Sequence, residues 1–478
     1  MIPSEINLLA KVKLLASRKN NLAYEASHLL PPAPTKLPLG QQVNQHLHKH
    51  NSLYRWTGIV TAILLFFTLG VIIGHSYYQG NGNFGLSKQN VYAQFLLEIY
   101  DTVKDNYWDK IDDKKLIKLY TLGVEKLTGQ PQNTTPADRD ELKQMLTGVI
   151  ENISDQDKQK NLTVTLGNLV LANLSPFERS RLFTSKTEKE LRDNVSNIDK
   201  TVDLYKTLGV DKNTPPDKIK QTYEQKVNEL AKDKSPEAQK KLADAGRAFA
   251  TLGRTDSKKF YDQSGAETTV LSRVIEPDIF YLQLKKISPQ TFDEFQTVTA
   301  MVTDKPLTSL ILDLRGNIGG AIDILPYFLG FFIGQDQYGY ELFHQGEPEP
   351  FKTKTGWLPS LAKYKKVVVL IDGQTQSSAE VIAATIKKYN VGVVIGSTTK
   401  GWGTVENTFP LKTTIDPTEN YSAFLVHSLT LRDDNQPIEG RGVNPTIKLS
   451  DKNWPEQLMT YYNYGPLAEA VKQIIAGK

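Results

Sequence analysis

Residues 367–405, VVVLIDGQTQSSAEVIAATIKKYNVGVVIGSTTKGWGTV, predict a strand, a tight turn, a helix, a second strand and a glycine-rich loop, in that order. Residues 367–371 form a continuous run of β-branched and apolar side chains, which is typical of a buried strand. Asp372-Gly373 ends this run, and residues 379–389 have the composition and length of a helix. This part of the sequence therefore predicts an α/β arrangement with a short turn between strand and helix.

Two serines stand at the predicted start of that helix. The free backbone N–H groups and the positive end of the helix dipole favour a developing negative charge at Ser377 and Ser378, as an acyl-transfer nucleophile and its oxyanion require. A structural role is the alternative, because Ser377-x-x-Glu380 also has the spacing of a capping box.

A second segment predicts another buried strand that ends in a glycine turn. Residues 309–320 have the sequence SLILDLRGNIGG. Gly319 and Gly320 permit positive φ angles and a close approach of backbone to a neighbour. A plain turn is the simpler interpretation of the same residues.

Together these segments resemble the tail-specific, or C-terminal processing, serine peptidases. Residues 312–320 match the family's L-D-L-R-x-N-x-G-G strand end, and residues 376–380 match its serine at a helix start. The resemblance covers roughly residues 270–450 and implies an α/β (α+β) peptidase core, which we place at 270–478. It further implies that Ser377 is the nucleophile, and that an N–H of Gly319 or Gly320 joins that of Ser378 in the oxyanion hole.

The expected general base is missing from its place in the glycine-rich loop. The family uses a lysine, and an ungapped comparison anchored on Glu380 puts Trp402 at that position. Serine is a weak nucleophile without an adjacent base, so the substitution bears on whether the protein is an enzyme. Three other bases are available: Lys400, two residues earlier in the loop, and His427 and the more remote His344.

Lys400 is our provisional base. It requires a lowered pKa, because an exposed lysine is protonated at neutral pH. Burial beneath Trp402 is one way to lower it, and a solvated lysine on a loop is the alternative. We expect Asp313 and Arg315 to organise the end of their strand rather than to contact substrate.

The N-terminal part predicts a membrane anchor. Residues 56–74, WTGIVTAILLFFTLGVIIG, are nineteen residues without a charge, which is enough to span a bilayer. We predict a single transmembrane helix at 54–76 in the cell membrane. More Lys and Arg precede the span than follow it, so the positive-inside rule places the tail 1–53 in the cytoplasm and the rest outside.

Charge and composition argue against binding of nucleic acid, metal or cofactor. Residues 1–55 contain seven Lys or Arg and two Glu, a net of +5, so the remaining residues account for −1 of the total +4. This distribution favours an anionic membrane surface over nucleic acid, and the tail is expected to be partly disordered. There is no cysteine. We expect no metal and no cofactor, although His46, His48 and His50 alternate like a weak metal-binding tract.

Two regions separate the anchor from the core. Residues 86–200 have helical periodicity and no visible chemistry. Residues 201–266 resemble a J domain of the DnaJ type, but Ala231-Lys232-Asp233 stands where the family's His-Pro-Asp is expected. We interpret this J-like module as a scaffold or protein-binding surface. It occupies the place where the peptidases usually carry a PDZ domain, and no PDZ pattern is found.

The sequence thus predicts a membrane-anchored serine peptidase that cleaves extended or unfolded polypeptides outside the cytoplasm. The alternative is a catalytically inactive pseudopeptidase that acts as a protein-binding scaffold.

Overall fold

The computed structural model describes residues 90–132, 134–197, 202–231, 233, 235–432, 434 and 436–477. The predicted tail at 1–53, the predicted span at 54–76 and the histidine tract lie outside the described residues. Within the part described, no helix is both long and apolar enough to cross a bilayer.

Fifteen α-helices are found in the described residues. Before the core they are α1 (Val91–Asn106), α2 (Asp113–Thr128), α3 (Arg139–Glu151), α4 (Gln156–Ala172), α5 (Ser185–Val195), α6 (Leu204–Leu208), α7 (Pro216–Leu230), α8 (Pro236–Leu252) and α9 (Thr255–Ser264). In the core they are α10 (Pro289–Ala300), α11 (Leu325–Ile333), α12 (Pro359–Ala362), α13 (Ser378–Lys388), α14 (Trp454–Tyr462) and α15 (Gly465–Ile475).

Eleven strands in the same residues form two sheets. The strands are β1 (Arg181–Thr184), β2 (Val270–Ile275), β3 (Ile279–Leu284), β4 (Ser309–Asp313), β5 (Tyr338–His344), β6 (Glu347–Lys352), β7 (Lys366–Ile371), β8 (Val393–Gly396), β9 (Thr404–Pro410), β10 (Tyr421–Thr430) and β11 (Ile447–Lys448).

The six-stranded sheet positions the two motifs beside each other. Its order is β11-β8-β7-β4-β3-β2, and its pairs are parallel except β2 with β3. The predicted strands at 309–313 and 367–371 are adjacent central strands whose apolar side chains are buried, and α13 follows β7 as expected. Because the carboxyl ends of parallel strands meet at one edge of a sheet, the glycine turn after β4 lies beside the serine turn after β7. The α/β core is thus confirmed.

The five-stranded sheet joins the N-terminal helices to the core. It has the order β1-β10-β5-β6, with β9 also paired to β10. Helices α1 to α4 share one hydrophobic cluster with β10, in which the rings of Phe95 and Tyr421 lie 5.6 Å apart edge to face. The prediction that residues 86–200 are helical misses β1, because this four-residue strand pairs with a segment about 240 residues later. No local pattern signals such a partner.

The segment predicted as a J-like module contains α6 to α9 around a small hydrophobic cluster of its own. The rings of Tyr223 on α7 and Phe249 on α8 stack at 4.3 Å, and the backbone N–H of Leu204 donates to the hydroxyl of Tyr261 at 3.1 Å. The resemblance to a J domain stays a prediction, and Lys232 of the substituted tripeptide lies outside the described residues.

Candidate active site

Ser377 lies in a strained turn between β7 and α13. Its backbone angles are φ 56° and ψ −129°, a conformation that non-glycine residues rarely adopt. The preceding turn is held by Asp372, whose Oδ1 accepts hydrogen bonds from the N–H groups of Gln374 at 3.0 Å and Thr375 at 2.9 Å. A serine on a strained strand-to-helix turn is the arrangement that presents a nucleophile in other hydrolases.

The glycine turn after β4 packs directly against this serine. A Cβ added to Gly319 would lie 2.6 Å from Ser377 Cβ and 2.9 Å from the carbonyl oxygen of Gln376, and the φ of Gly319 is 83°. The N–H of Gln376 donates to the carbonyl oxygen of Asn317 at 2.9 Å. Only glycine fits at position 319, so the contact explains the Gly-Gly sequence more specifically than a plain turn does.

The N–H groups beside Ser377 differ in their hydrogen bonds. The N–H of Gly319 donates to Asn317 Oδ1 at 2.8 Å. In contrast, the N–H groups of Gly320 and Ser378 have no acceptor among the residues that the structure describes. Ser378 Oγ donates to the carbonyl oxygen of Gly320 at 3.0 Å, which ties these two residues together. The geometry therefore favours Gly320 over Gly319 as the partner of Ser378 in an anion site.

Asp313 and Arg315 occupy the structural positions expected of them. Asp313 is fully buried at the end of β4, and its Oδ2 accepts hydrogen bonds from Arg315 Nη2 at 2.7 Å and from the hydroxyl of Tyr281 at 2.9 Å. This pair stabilises the strand end from which the glycine turn departs.

Glu380 connects the serine turn to the glycine-rich loop. Its buried carboxylate accepts hydrogen bonds from the N–H groups of Ser377 at 2.8 Å, Gly401 at 2.8 Å and Trp402 at 2.9 Å. Thr399 Oγ1 donates to it at 2.5 Å. Burial raises the pKa of Glu380, and these four hydrogen bonds oppose the rise. Glu380 thus has the capping role foreseen from its spacing, and it also fixes the loop that holds Lys400 and Trp402.

Trp402 stacks with Arg179, a residue that the sequence did not indicate. The guanidinium carbon of Arg179 lies 3.3 Å from the centroid of the Trp402 ring, and Arg179 Nη2 pairs with Glu439 Oε1 at 3.1 Å. Glu439 Oε2 accepts a hydrogen bond from the N–H of Gly403 at 2.8 Å. Arg179 lies outside the segment that resembles the peptidases, and no local pattern marks it.

The provisional base does not have the buried environment that was suggested for it. The backbone N–H of Lys400 donates to the carbonyl oxygen of Thr375 at 2.9 Å, which places this backbone beside the serine turn. The Lys400 side chain is exposed. Burial beneath Trp402 is therefore wrong, because the indole ring stacks with Arg179 instead.

The two histidines form a pair with each other. The rings of His344 and His427 stack at 4.1 Å, and His427 Nδ1 is 2.8 Å from Ser428 Oγ. Burial, and then the proximity of His344, lower the pKa of His427. These contacts attach His427 to β5 and β10 rather than to the serine turn.

No group of three or more residues suited to holding a metal ion occurs in the described ranges.

Comparison with known proteins shows which family the core is similar to. Residues 278–449 match the sequence model of peptidase family S41. Carboxy-terminal processing protease CtpA of Bacillus subtilis (strain 168) is 24% identical over 358 residues, which cover 74% of this chain and 68% of that protein. The carboxy-terminal-processing protease of Bartonella bacilliformis is 28% identical over 193 residues, 39% of this chain and 42% of the relative. The core is thus similar in sequence to peptidase family S41, and the relatives named here are carboxy-terminal processing proteases.

The match to several relatives is partial. The protein spans less than half the length of the Bartonella relative and 33% of a probable CtpA-like serine protease of Staphylococcus epidermidis (strain ATCC 12228). Among solved structures, the photosystem II D1 C-terminal processing protease superposes with a TM-score of 0.46 at 15% identity, covering 75% of this chain and 93% of that one.

Proposed function

We propose that this protein is a serine peptidase that hydrolyses amide bonds of extended or unfolded polypeptides through an acyl-enzyme at Ser377. The observation that carries the proposal is the strained backbone of Ser377 beside two N–H groups that have no acceptor among the described residues, those of Gly320 and Ser378. A strained backbone persists only where surrounding structure enforces it, and such residues cluster at functional sites.

In the proposed reaction Ser377 Oγ attacks the scissile carbonyl carbon and passes its proton to a base. The carbonyl oxygen becomes negatively charged, and the N–H groups of Ser378 and Gly320 donate hydrogen bonds to it. The amine leaves with a proton, and water then hydrolyses the ester. The Gly319 N–H already donates to Asn317 Oδ1 and is not free for the oxyanion. The proposed role of Gly319 is therefore steric, because its lack of a side chain leaves space for Ser377.

Lys400 is the proposed base, on the strength of its backbone contact with Thr375 in the turn before Ser377. Its exposed side chain has the freedom to move when substrate covers the site, and substrate would then supply the desolvation that the empty site lacks. His427 is the secondary candidate: its lowered pKa leaves the imidazole neutral and able to accept a proton, although its contacts attach it to β5 and β10 rather than to the serine turn.

The proposed location rests on the sequence alone. The uncharged residues 56–74 and the basic tail before them support a single-pass anchor in the cell membrane, with the core outside the cytoplasm. The helical module at 201–266 is proposed to be a protein-binding surface.

A catalytically inactive pseudopeptidase is the second candidate. The observation that favours it is the stack of Arg179 on Trp402, which fills the expected lysine position with a ring that cannot accept a proton. In that case the cleft would bind polypeptide without cleaving it.

Cleavage of unfolded β-casein by the full-length protein in detergent separates the two candidates. Loss of turnover in both Ser377→Ala and Lys400→Ala, but not in the exposed control Lys412→Ala, supports the proposed dyad. Unchanged turnover in Ser377→Ala contradicts the nucleophile assignment. Absence of turnover in the parent, together with retained casein binding, supports the scaffold.

A further inference from the structure

Two adjoining cavities lie at the edge of the six-stranded sheet where its parallel strands end. The larger, of about 400 Å³, is lined by the last residues of β7, β8 and β11 and by residues that follow them. The smaller, of about 300 Å³, is lined by parts of β2 and β3 and by the end of α15. Arg315, which follows β4, lines both cavities and so joins them. In open α/β sheets this edge is the usual place for a ligand, and both volumes are in the range of ligand pockets.

Arg315 is held in place through one side of its guanidinium group. Its Nε donates to Asp313 Oδ1 at 2.9 Å, and its Nη2 donates to Oδ2 of the same buried carboxylate at 2.7 Å. In contrast, its Nη1 has no hydrogen-bond partner in the described ranges. The side chain is 24% exposed. Because Asp313 already orders this side chain, a ligand that binds it has little further ordering to impose.

The smaller cavity is strongly basic. Arg273 on β2 is exposed, and its guanidinium carbon lies 5.1 Å from the centroid of the Tyr281 ring. Arg273 has no acidic partner among the residues described. Arg254 Nη2 donates to the carbonyl oxygen of Ser272 at 2.8 Å, which directs a third guanidinium to the same cavity. No Asp or Glu of the described part lines it, and a cavity lined by charges of one sign attracts the opposite charge.

The larger cavity adds another cation and several hydroxyl groups. Lys448 ends β11 and is exposed, with no acidic partner in the part of the chain that the structure describes. Ser397 and Ser450 are exposed serines in the same wall. Asp372 also lines this cavity, but its Oδ1 already accepts a hydrogen bond from the N–H of Gly316 at 3.0 Å. The two cavities together therefore suit a ligand with an anionic group at one end and hydroxyl groups at the other.

We propose that these cavities bind a phosphate ester of a small polyol, with its phosphate between Arg273 and Arg315 and its hydroxyl groups beside Ser397 and Ser450. A guanidinium donates through a planar fork of N–H groups that matches the oxygens of a phosphate, so arginine binds this group with geometric specificity. Serine hydroxyls both donate and accept, as the hydroxyls of a polyol require. Ser377 lines neither cavity, so the proposed site is separate from the candidate active site.

The phosphate ester has two sources, a soluble compound or the headgroup of a phospholipid, which basic pockets also bind. Glycerol 3-phosphate is the probe, titrated by isothermal calorimetry into the full-length protein in a neutral detergent. The titration is then repeated in mixed micelles that contain phosphatidylglycerol, with oleate micelles as the control for negative charge without phosphate. A higher apparent Kd with phosphatidylglycerol alone identifies the lipid headgroup as a ligand, and an unchanged Kd identifies a soluble ester.

Glycerol 3-phosphate is expected to bind saturably, and glycerol is not. Arg273→Gln should weaken binding at least about tenfold, a typical value for one hydrogen bond to a charged group. Arg315→Lys keeps a cation beside Asp313 but removes the planar fork, so it should weaken binding as well. Arg192→Gln removes the same charge from an exposed helix and should leave the Kd unchanged.

Thermal unfolding separates a binding role from a structural one. Arg273 is exposed and has no acidic partner in the described ranges, so Arg273→Gln should keep the parent's unfolding midpoint. Glycerol 3-phosphate should raise the midpoint of the parent but not that of Arg273→Gln. Absence of saturable binding to the parent at about 10 mM, or equal binding to the parent and Arg273→Gln, overturns the proposal. Ser377→Ala should bind the ligand as the parent does, so failure of the peptidase proposal would leave this site standing.

Discussion

The guanidinium carbon of Arg179 lies 3.3 Å from the centroid of the Trp402 ring. The same guanidinium pairs with Glu439, which holds the N–H of Gly403, so one arginine fixes both ends of the loop segment 402–403. Arg179 precedes β1, in the N-terminal part that packs on the five-stranded sheet. The loop that would provide the base is thereby attached to the helical region.

Arg179→Ala is expected to destabilise the protein by about 3–5 kcal/mol, because it leaves the largely buried Glu439 carboxylate without its cation. Burial already raises the pKa of Glu439, and Arg179 opposes that rise. Unfolding in urea measures the change. Arg192→Ala is the control, since its pair with Glu188 is on an exposed helix and is expected to contribute at most about 1 kcal/mol.

The double variant Arg179→Ala/Glu439→Gln tests the reason given. This variant removes the unpaired charge of Glu439 but keeps a side-chain oxygen that accepts from the Gly403 N–H. Part of the lost stability should therefore return. A double variant as unstable as the single one would show that the loss comes from the Trp402 stack instead.

Gly319→Ala should abolish catalysis by displacing Ser377. The new methyl group would lie 2.6 Å from Ser377 Cβ, and a displacement of about 1 Å at a nucleophile can cost about 100-fold in rate. Casein cleavage and labelling of Ser377 by a fluorophosphonate both report the effect.

Gly316→Ala is the matched control for this substitution. Gly316 has a φ of 69°, similar to the 83° of Gly319, but its Cβ would meet nothing within 4 Å. It should therefore cost only the strain of a left-handed residue, about 1–2 kcal/mol, with labelling of Ser377 retained. Equal loss of labelling in both variants would contradict the role given to the contact.

The strands and the helix around Gly319 could be predicted from the sequence, whereas the contact of Gly319 with Ser377 could not. The strands β4 and β7 and the helix α13 were predictable, because their side-chain patterns are local and their apolar residues are buried on both faces of the sheet. The positive φ of Ser377 and its contact with Gly319 arise only when β4 and β7 pair. The family resemblance could suggest them, whereas residue spacing could not.

The remaining parts of the site had no sequence signal. Arg179 reaches Trp402 across more than 200 residues, and no local pattern indicates that contact. The exposure of the Lys400 side chain could not be predicted either, because burial of a loop lysine depends on which neighbour covers it.

His427 should make the protein less stable in mild acid. Its pKa in the folded state is lowered by burial and by His344, so the unfolded protein binds the proton first as the pH falls below about 6.5. The contribution is absent above that pH and grows as the pH falls towards the lowered pKa. In His427→Phe the loss of stability between pH 7.5 and pH 5.5 should be smaller than in the parent.

Thermal unfolding across this pH range measures the difference between the two proteins. Ser428→Ala is the control, since it removes the hydroxyl 2.8 Å from His427 Nδ1 without removing the titrating ring. It should retain a parent-like slope with pH. Parallel curves for the parent and His427→Phe would rule out this histidine as the source of acid sensitivity.

Trp402→Lys restores a base where the peptidase resemblance places one. If the lysine is the part that the site lacks, the variant should cleave casein at least tenfold faster than the parent, a gain within the range for general-base catalysis. The Arg179 guanidinium, now facing an ammonium, favours the neutral amine that a base requires. Glu406, whose Oε1 lies 3.3 Å from Trp402 Nε1, favours the charged form. Adding Glu406→Gln should therefore shift the activity profile of Trp402→Lys to lower pH.

Trp402→Met separates the new base from the loss of the ring. It opens the same stack but supplies no proton acceptor, so it should not gain activity. If Trp402→Lys and Trp402→Met behave alike while Lys400→Ala abolishes turnover, position 402 is not the base position and Lys400 is the working base. If only Trp402→Lys cleaves casein, the natural protein is the inactive scaffold, because an otherwise complete site then needed nothing but a lysine.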